Sequence, residues 1–270
     1  MIGAIAGDAI GAPYEFNQNN IKTTDFPLFS ERTMITDDSV MTCAVAEALF
    51  YAGNSEQYFK ETLIDTMKVY GNAFQGAGYG GMFRQWLFSE DRNPYNSFGN
   101  GSAMRVSPVG WRYDNLADVL KYAKLSAEVT HNHPEGIKGA QAVASAIFLA
   151  REGKTKREIH DYIVENFGYD LSKSCAEIRP TYRMDETCQG SVPQAIRAFL
   201  EGNTYEECIR LAVSIGGDSD TIACITGGIA EAYYNMPFYI KNKILEMLRE
   251  KPMLYHSYVL FSKSFINNVW

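Results

Sequence analysis

The sequence predicts an all-α fold, and two observations indicate it. Apolar residues recur at helical spacing along most of the 270-residue chain, as at Leu116, Val119 and Ala123. Alternation typical of β-strands is nearly absent, and the stretch "YHSYVLF" near residue 258 is the single candidate strand. We therefore expect roughly ten or more helices in one domain of residues 1–270.

Helix boundaries are indicated by capping patterns and glycines. An S/T-x-x-E/Q box precedes three apolar-periodic runs. The pairs are Thr155 with Glu158, Ser191 with Gln194, and Thr204 with Glu207. Glycines stand where helical runs stop, as at Gly168, Gly202 and Gly216. Pro237 separates two further helices.

The first predicted helix has a glycine face. Gly3, Gly7 and Gly11 recur every four residues and so share one side of the helix. Without side chains on that face, another backbone can approach closely. Glu15 follows directly after this segment, beyond Pro13.

Composition excludes some partners. The chain has a formal net charge of -7 and a pI of about 5.2, with no run of Lys and Arg, which gives no strong signal for nucleic-acid binding. No stretch approaches the uncharged length of a membrane span, and Asp8 interrupts the apolar start that would resemble a signal segment. We expect a cytoplasmic monomer.

The cysteines favour the same compartment. There are five, an odd number, and no CxxC motif occurs. Small buried thiols in a reducing compartment account for this pattern better than a disulfide framework.

Two carboxylate clusters stand at helix starts. "ITDDSVMTCAVAEALFYAG" begins at Ile35 and "GGDSDTIACITGGIAEAYY" at Gly216, each with hydroxyls and carboxylates ahead of a small-residue helix. Asp, Ser and Thr are preferred N-caps, so capping alone is one interpretation. A cap needs one side-chain oxygen, however, and the remaining carboxylates would repel each other without a cation.

The second interpretation is a metal site. If the two helix starts converge near Glu15, they offer hard oxygen donors and neither cysteine nor histidine, which favours Mg²⁺ or Mn²⁺ over zinc. The donors would be Glu15, Thr36, Asp37, Asp38, Asp218, Asp220 and Thr221. So many ligands suit a pair of ions about 4 Å apart, bridged by a carboxylate.

Six motifs stand in order along the chain: "GAIAGDAIGAPYEF", "TDDSVMT", "FGNGSAMRVSPVGW", "THNHPEGIKGAQAVA", "GSVPQAIRAF" and "GGDSDTIACITGGIAEAYY". Together and in this order they resemble the ADP-ribosylglycohydrolase family, which includes the enzyme that reactivates ADP-ribosylated dinitrogenase reductase. The resemblance implies a compact, orthogonal multi-helix bundle with two Mg²⁺ or Mn²⁺ ions at the base of a cleft. It also implies hydrolysis of the bond between ADP-ribose and an acceptor.

The resemblance assigns roles by motif. Thr36, Asp37 and Asp38 match the family's first metal-binding cluster. Asp218, Asp220 and Thr221 match the second, with Asp220 as the bridge, and Glu15 matches the acidic residue beside the metals. The loop "NSFGNGSAMR" resembles the family's glycine-rich loop and would line the ADP-ribose pocket with Ser97, Phe98, Gly99, Asn100, Gly101, Ser102 and Met104.

Several assignments stay open. Glycines 99 and 101 suit a backbone nest for a pyrophosphate, although a plain turn has the same composition. His133 is preferred over His131 as a pocket residue, and Arg105 is either a phosphate ligand or a buried ion-pair partner.

The expected reaction is hydrolysis at C1″ of the distal ribose, with Glu15 as the first candidate for the acid/base and Asp37 as the second. The substrate is an ADP-ribosylated protein or a small ADP-ribosyl compound, with arginine the default acceptor. Serine, O-acetyl-ADP-ribose, a nucleic-acid linkage and a non-catalytic binding or structural relative are the alternatives.

Overall fold

The computed structural model describes residues 1–53 and 55–266, and these residues form a helical protein. In chain order the elements are α1 (Ile2–Gly11), a short 3-10 helix (Ala12–Tyr14), α2 (Asp37–Ala52), α3 (Glu56–Ala73), α4 (Gly81–Leu87), α5 (Gly101–Met104), α6 (Ser107–Arg112), α7 (Leu116–Glu128), α8 (Pro134–Arg151), α9 (Lys156–Phe167), α10 (Cys175–Ile178), α11 (Cys188–Glu201), α12 (Tyr205–Ile215), α13 (Ser219–Tyr233), α14 (Phe238–Arg249) and α15 (Pro252–Ile266).

The predicted all-α fold is confirmed. Within the described ranges no strand forms, and the single β-bridge joins Gly99 to Thr187. The candidate strand "YHSYVLF" is wrong because it lies inside α15. Leu254, Ser257 and Phe261 share one buried face of that helix, and Ser257 donates a hydrogen bond to the Cys43 carbonyl of α2. The prediction of a single domain over residues 1–270 includes residues 267–270, which lie outside the described residues. It therefore stays a prediction.

Local capping sets several helix starts. Thr155 and Glu158 form the predicted reciprocal box. The box predicted at Thr204 forms only in part: its hydroxyl accepts from the Glu207 amide, but the Glu207 carboxylate accepts from the Asn203 amide. The box predicted at Ser191 is wrong: α11 begins one turn earlier. There Thr187 accepts from the Gly190 amide, while the Ser191 hydroxyl bonds to the Asp185 carbonyl.

The glycine face of α1 lies directly against α13, the central helix. A Cβ on Gly7 would lie 1.9 Å from the Ala223 carbonyl oxygen, and one on Gly11 would lie 2.6 Å from the Cα of Asp220. The side chains of α13 are buried from Ser219 to Ala230. The glycine face therefore sets the separation of α1 and α13 and brings the end of α1 to the start of α13.

We expect Gly7→Ala to lower the free energy of unfolding by at least about 2 kcal/mol, because the added methyl meets backbone atoms that cannot rotate away. Denaturant titration of the variant against wild type measures this change. Gly76→Ala is the matched control, since a Cβ there meets nothing within 4 Å. Equal stability of the two variants would contradict the close packing of α1 on α13.

Among the described residues, no helix is both long and apolar enough to cross a membrane. The five cysteines are buried and free. This agrees with their prediction as small apolar core residues.

Candidate active site

The starts of α2 and α13 meet in the structure. The Thr36 hydroxyl lies 3.5 Å from Asp220 Oδ2, and the Thr221 hydroxyl donates to Asp38 Oδ2 at 3.2 Å. These contacts join residues that are more than 180 positions apart in sequence. The convergence that the sequence analysis assumed is therefore present.

The carboxylates and hydroxyls at these helix starts do not act as caps. Thr36 and Asp218 occupy the N-cap positions of α2 and α13, yet neither side chain accepts a capping hydrogen bond. The Thr36 hydroxyl instead contacts Asp8 and Asp220, and Asp218 Oδ2 accepts from the Asn100 amide. Capping, the first interpretation of both clusters, does not explain them.

Asp8 of α1 supplies the missing cap for α2. One of its carboxylate oxygens accepts from the backbone amides of Thr36 and Ser39, each at 3.1 Å, and also from the Ser39 hydroxyl. Its other oxygen accepts from the Thr36 hydroxyl at 2.6 Å. Asp8 thereby fixes the first turn of α2 against α1 while remaining within the acidic cluster.

Glu15 is held beside the start of α13 by the turn that follows α1. The Ser219 hydroxyl donates to the Tyr14 carbonyl at 3.0 Å. The Asn20 amide donates to that same carbonyl at 2.6 Å, and its oxygen accepts from the Gly217 amide at 2.6 Å. The chain before and after Glu15 is thus tied to residues flanking Asp218.

The carboxylates form two groups that share one member. Oxygens of Asp8, Asp38 and Asp220 lie within 4.8 Å of one another, and so do oxygens of Glu15, Asp218 and Asp220. Each group is a donor set of the kind that hard divalent cations prefer. Asp220 is common to both, which is the position of a bridging ligand.

No positive charge among the described residues forms an ion pair with this cluster, and the buried Asp38 Oδ1 has no hydrogen-bond partner in the same part of the chain. Burial raises the pKa of Asp38 and of Asp220 well above the usual range, and neighbouring carboxylates raise it further. Burial also raises the pKa of Asp8 to about 6, and burial with the nearby Asp218 raises the pKa of Glu15 to about 7. Buried uncompensated carboxylates with an unpaired oxygen fit divalent cations.

Metal-free protein is expected to lose stability as pH rises. The folded pKa values of Asp8 and Glu15 lie above those of unfolded carboxyls, so the folded state keeps protons that the unfolded state releases. This stabilisation is complete below about pH 4 and is lost through about pH 6 to 7. We expect a loss of at least about 2 kcal/mol between pH 5 and pH 8 in EDTA, measured by denaturant unfolding.

Mg²⁺ is the internal control for this measurement. Cations compete with protons for the carboxylates, so saturating Mg²⁺ should remove or reverse the slope. Stability in EDTA that rises across this pH range would contradict the uncompensated cluster.

A cavity of about 510 Å³ opens over the acidic cluster. Its wall carries most of the residues predicted from the sequence: Glu15, Asp37, Asp38, Ser97, Phe98, Gly99, Asn100, Gly101, Met104, Asp218, Asp220 and Thr221. The volume is within the range of small-molecule sites. Asn100 links the glycine loop to the acidic cluster, because its amide donates to Asp218 Oδ2 at 2.6 Å.

Three predicted residues do not line the cavity. Thr36 is buried behind it, in contact with Asp8. Ser102 is buried with its hydroxyl on the Gly136 carbonyl. His133 caps α8 by accepting from the Glu135 amide, and its ring lies 5.3 Å from that of Phe98. His133 thus supports Phe98 from outside, and the histidine on the cavity wall is His131.

Sequence reasoning missed other members of the site. Asp8 was visible only as a carboxylate interrupting an apolar helix, and Glu186 only as part of "RPTYRMDETCQG", a segment expected to border the acceptor side of the cleft. The segment 78–83 also lines the cavity, and its "GYGG" composition was the available signal. Asp37 faces it, with Oδ1 3.3 Å from the position of a Cβ on Gly78.

Comparison with known proteins adds the family to this geometry. The sequence model of the ADP-ribosylglycohydrolase family matches residues 1–259. The chain belongs to this family. It is accordingly a hydrolase of glycosidic bonds.

Curated relatives of the family align over most of the chain. ADP-ribosylhydrolase ARH3 of Mus musculus is 27% identical, over 87% of this chain and 83% of the relative. The ARH3 of Gallus gallus is 28% identical over 87% of this chain and 84% of its own length. ADP-ribosylarginine hydrolase Tri1 of Pseudomonas putida is 23% identical, over 87% and 70%.

A solved structure supports the fold. An ADP-ribosylglycohydrolase-related protein complex contains a chain that superposes with a TM-score of 0.63, over 97% of both chains and at 24% identity. At 24% identity this structural similarity supports a shared fold alone.

Proposed function

We propose that this family member is a metal-dependent hydrolase that removes ADP-ribose from a modified acceptor by cleaving the bond at C1″ of the distal ribose. The observation that carries the proposal is the pair of acidic groups sharing Asp220 on the wall of the cavity. Two Mg²⁺ or Mn²⁺ ions would be held by Asp8, Asp38, Asp220, Asp218 and Glu15, with Thr36, Asp37 and Thr221 as further candidate oxygen donors. When bound, such ions supply Lewis acidity and neutralise the carboxylates.

The glycine loop provides the binding surface for the rest of the ligand. Gly99 and Gly101 lie on the cavity wall and carry no side chain, so the loop backbone can approach an anionic pyrophosphate closely, although the Gly99 amide already donates to the Ser97 hydroxyl. Phe98 lies on the wall with 44% of its surface exposed, so its ring is available to stack on a base or a ribose. The hydrogen bond from the Asn100 amide to Asp218 holds the glycine loop beside the acidic groups.

Glu15 is the first candidate for the proton-transfer group. Its carboxylate is only partly buried, lies on the cavity wall and reaches within 4.8 Å of oxygens of Asp218 and Asp220. Cleavage at C1″ develops positive charge on the ribose, which a nearby carboxylate stabilises. Asp37 is the second candidate, because it lines the same wall and belongs to neither acidic group.

Arginine is the proposed acceptor. Glu186 joins Glu15 and Asp37 on the cavity wall, while the arginine on that wall, Arg105, is buried. Carboxylates are the natural partners of a guanidinium, since they bind its planar fork with paired hydrogen bonds. The Tri1 relative is named for ADP-ribosylarginine, which supports the same choice.

A panel of defined ADP-ribosyl linkages tests this proposal. Peptides modified on arginine or serine, O-acetyl-ADP-ribose and an ADP-ribosylated oligonucleotide would each be incubated with enzyme and Mg²⁺ or Mn²⁺, and released ADP-ribose measured. We expect release from the arginine linkage, abolished by EDTA. Release only from another linkage would replace the acceptor, and tight ADP-ribose binding without release would indicate a binding protein.

We further propose that the enzyme acts as a cytoplasmic monomer on ADP-ribosylated protein. Five buried free thiols support a reducing compartment. Size-exclusion chromatography with light scattering would test the monomer.

A further inference from the structure

His131 lies on the cavity wall, at the glycine loop. It is 4% exposed, and its Nε2 lies 3.1 Å from the position of a Cβ on Gly101 and 3.6 Å from that of one on Gly99. In the described part of the chain Nε2 has no hydrogen-bond partner, whereas Nδ1 lies 2.7 Å from the Thr130 hydroxyl. One ring nitrogen therefore faces the protein and the other faces the ligand space.

Arg105 decides the direction of the Thr130–His131 bond. Its guanidinium is buried, donates to the Ser126 carbonyl and to the Thr130 hydroxyl oxygen, each at 2.9 Å, and pairs with no carboxylate among the residues described. A guanidinium only donates, so the Thr130 oxygen accepts from it. The hydroxyl keeps its proton and one lone pair. If His131 donated to that lone pair, the buried Thr130 proton would have no acceptor shown among the described residues, so the proton goes to His131 Nδ1.

The ring consequently carries its own proton on Nε2. Burial, with the Arg105 charge behind it, lowers the pKa of His131 well below its usual value, so the ring stays neutral. A neutral imidazole that accepts at Nδ1 donates at Nε2.

We propose that Arg105 and Thr130 are positioning residues that hold His131 in the Nε2–H tautomer, so that it donates a hydrogen bond to an acceptor oxygen of the ligand at the glycine loop. The ligand assignment rests on the proposed function, and the tautomer does not. Arg105 acts through Thr130, and because it pairs with no carboxylate among the described residues, the buried ion pair considered from the sequence is not formed.

The relay is the hydrogen-bonded series from Arg105 through Thr130 to His131. Thr130→Val tests it, because valine keeps the shape of threonine and removes the hydroxyl. Long-range ¹H–¹⁵N spectra of the ligand-free protein should show His131 as the Nε2–H tautomer in wild type and in Thr130→Ser. The same spectra should show a mixture or the Nδ1–H form in Thr130→Val. An Nδ1–H tautomer in wild type, or an unchanged spectrum in Thr130→Val, would overturn the relay.

Calorimetry with ADP-ribose then tests what the relay does. We expect Thr130→Val to raise Kd roughly tenfold or more, the effect of losing a hydrogen bond to a charged group, and Thr130→Ser to restore it. In a His131→Ala background the same change should have no further effect. An equal loss in that background would show a merely structural role and contradict the proposal.

A control variant and one further outcome distinguish a failure of this proposal from a failure of the proposed function. Thr226→Val is the matched control, since Thr226 is fully buried on α13 and, among the described residues, its hydroxyl bonds only to the Ala195 and Ile222 carbonyls. Its Kd should equal that of wild type. If wild-type protein binds no ADP-ribose, the proposed function and the ligand half of this inference both fail, while the spectra still decide the tautomer.

Discussion

Asp220→Asn is expected to abolish the paired binding of divalent cations and to lower turnover by at least about 10³-fold. Asp220 is the carboxylate common to both acidic groups, so its loss weakens both positions at once. Asparagine keeps the shape and removes the charge. Calorimetry with Mn²⁺ and the ADP-ribose release assay measure the two effects.

The same variant should behave in the opposite way without metal. Removing one of several buried, uncompensated charges relieves repulsion, so metal-free Asp220→Asn should be at least as stable as metal-free wild type. Asp114→Asn is the control, because that side chain is 91% exposed and far from the cluster in sequence. Undiminished binding of two Mn²⁺ ions by Asp220→Asn would refute the bridging role.

Glu15→Gln is expected to lower kcat by 10²–10⁴-fold, the range for losing a proton-transfer group. Glutamine keeps the length of the side chain and cannot exchange the proton. Rates measured over a wide range of Mn²⁺ concentration separate the two possible roles. A loss that persists at saturating metal indicates proton transfer, whereas one that disappears indicates a ligand.

Two further variants complete this experiment. Asp37→Asn competes for the same role, and the larger persistent loss identifies the acid/base. Glu31→Gln, at an exposed residue before α2, should leave kcat unchanged. A normal kcat in Glu15→Gln would remove Glu15 from the mechanism.

Local signals predicted much of the fold. The box at Thr155 and Glu158 holds because both of its bonds lie within one turn. The glycine face of α1 was visible because a close helix contact requires small residues at that spacing. The failures came where tertiary contacts decide. "YHSYVLF" has strand-forming residues but packs as a helix on α2, and Thr187 displaced Ser191 as a cap because Asp185 orders that turn.

The site was partly predictable because some of its residues also follow local sequence patterns. Both carboxylate clusters are visible at helix starts, and each has more carboxylates than a helix cap needs, which indicated a cation. Asp8 was missed because nothing in sequence shows that a carboxylate on one helix caps another, 28 positions away. The choice of His133 over His131 had no local basis: only the fold places one at the start of α8 and the other on the cavity wall.

Diffraction from crystals grown with Mn²⁺, recorded at the manganese absorption edge, tests the central claim most directly. We expect two anomalous peaks about 4 Å apart, with a carboxylate oxygen of Asp220 in contact with both. A single peak away from Asp220, or none at the junction of α2 and α13, would contradict the account.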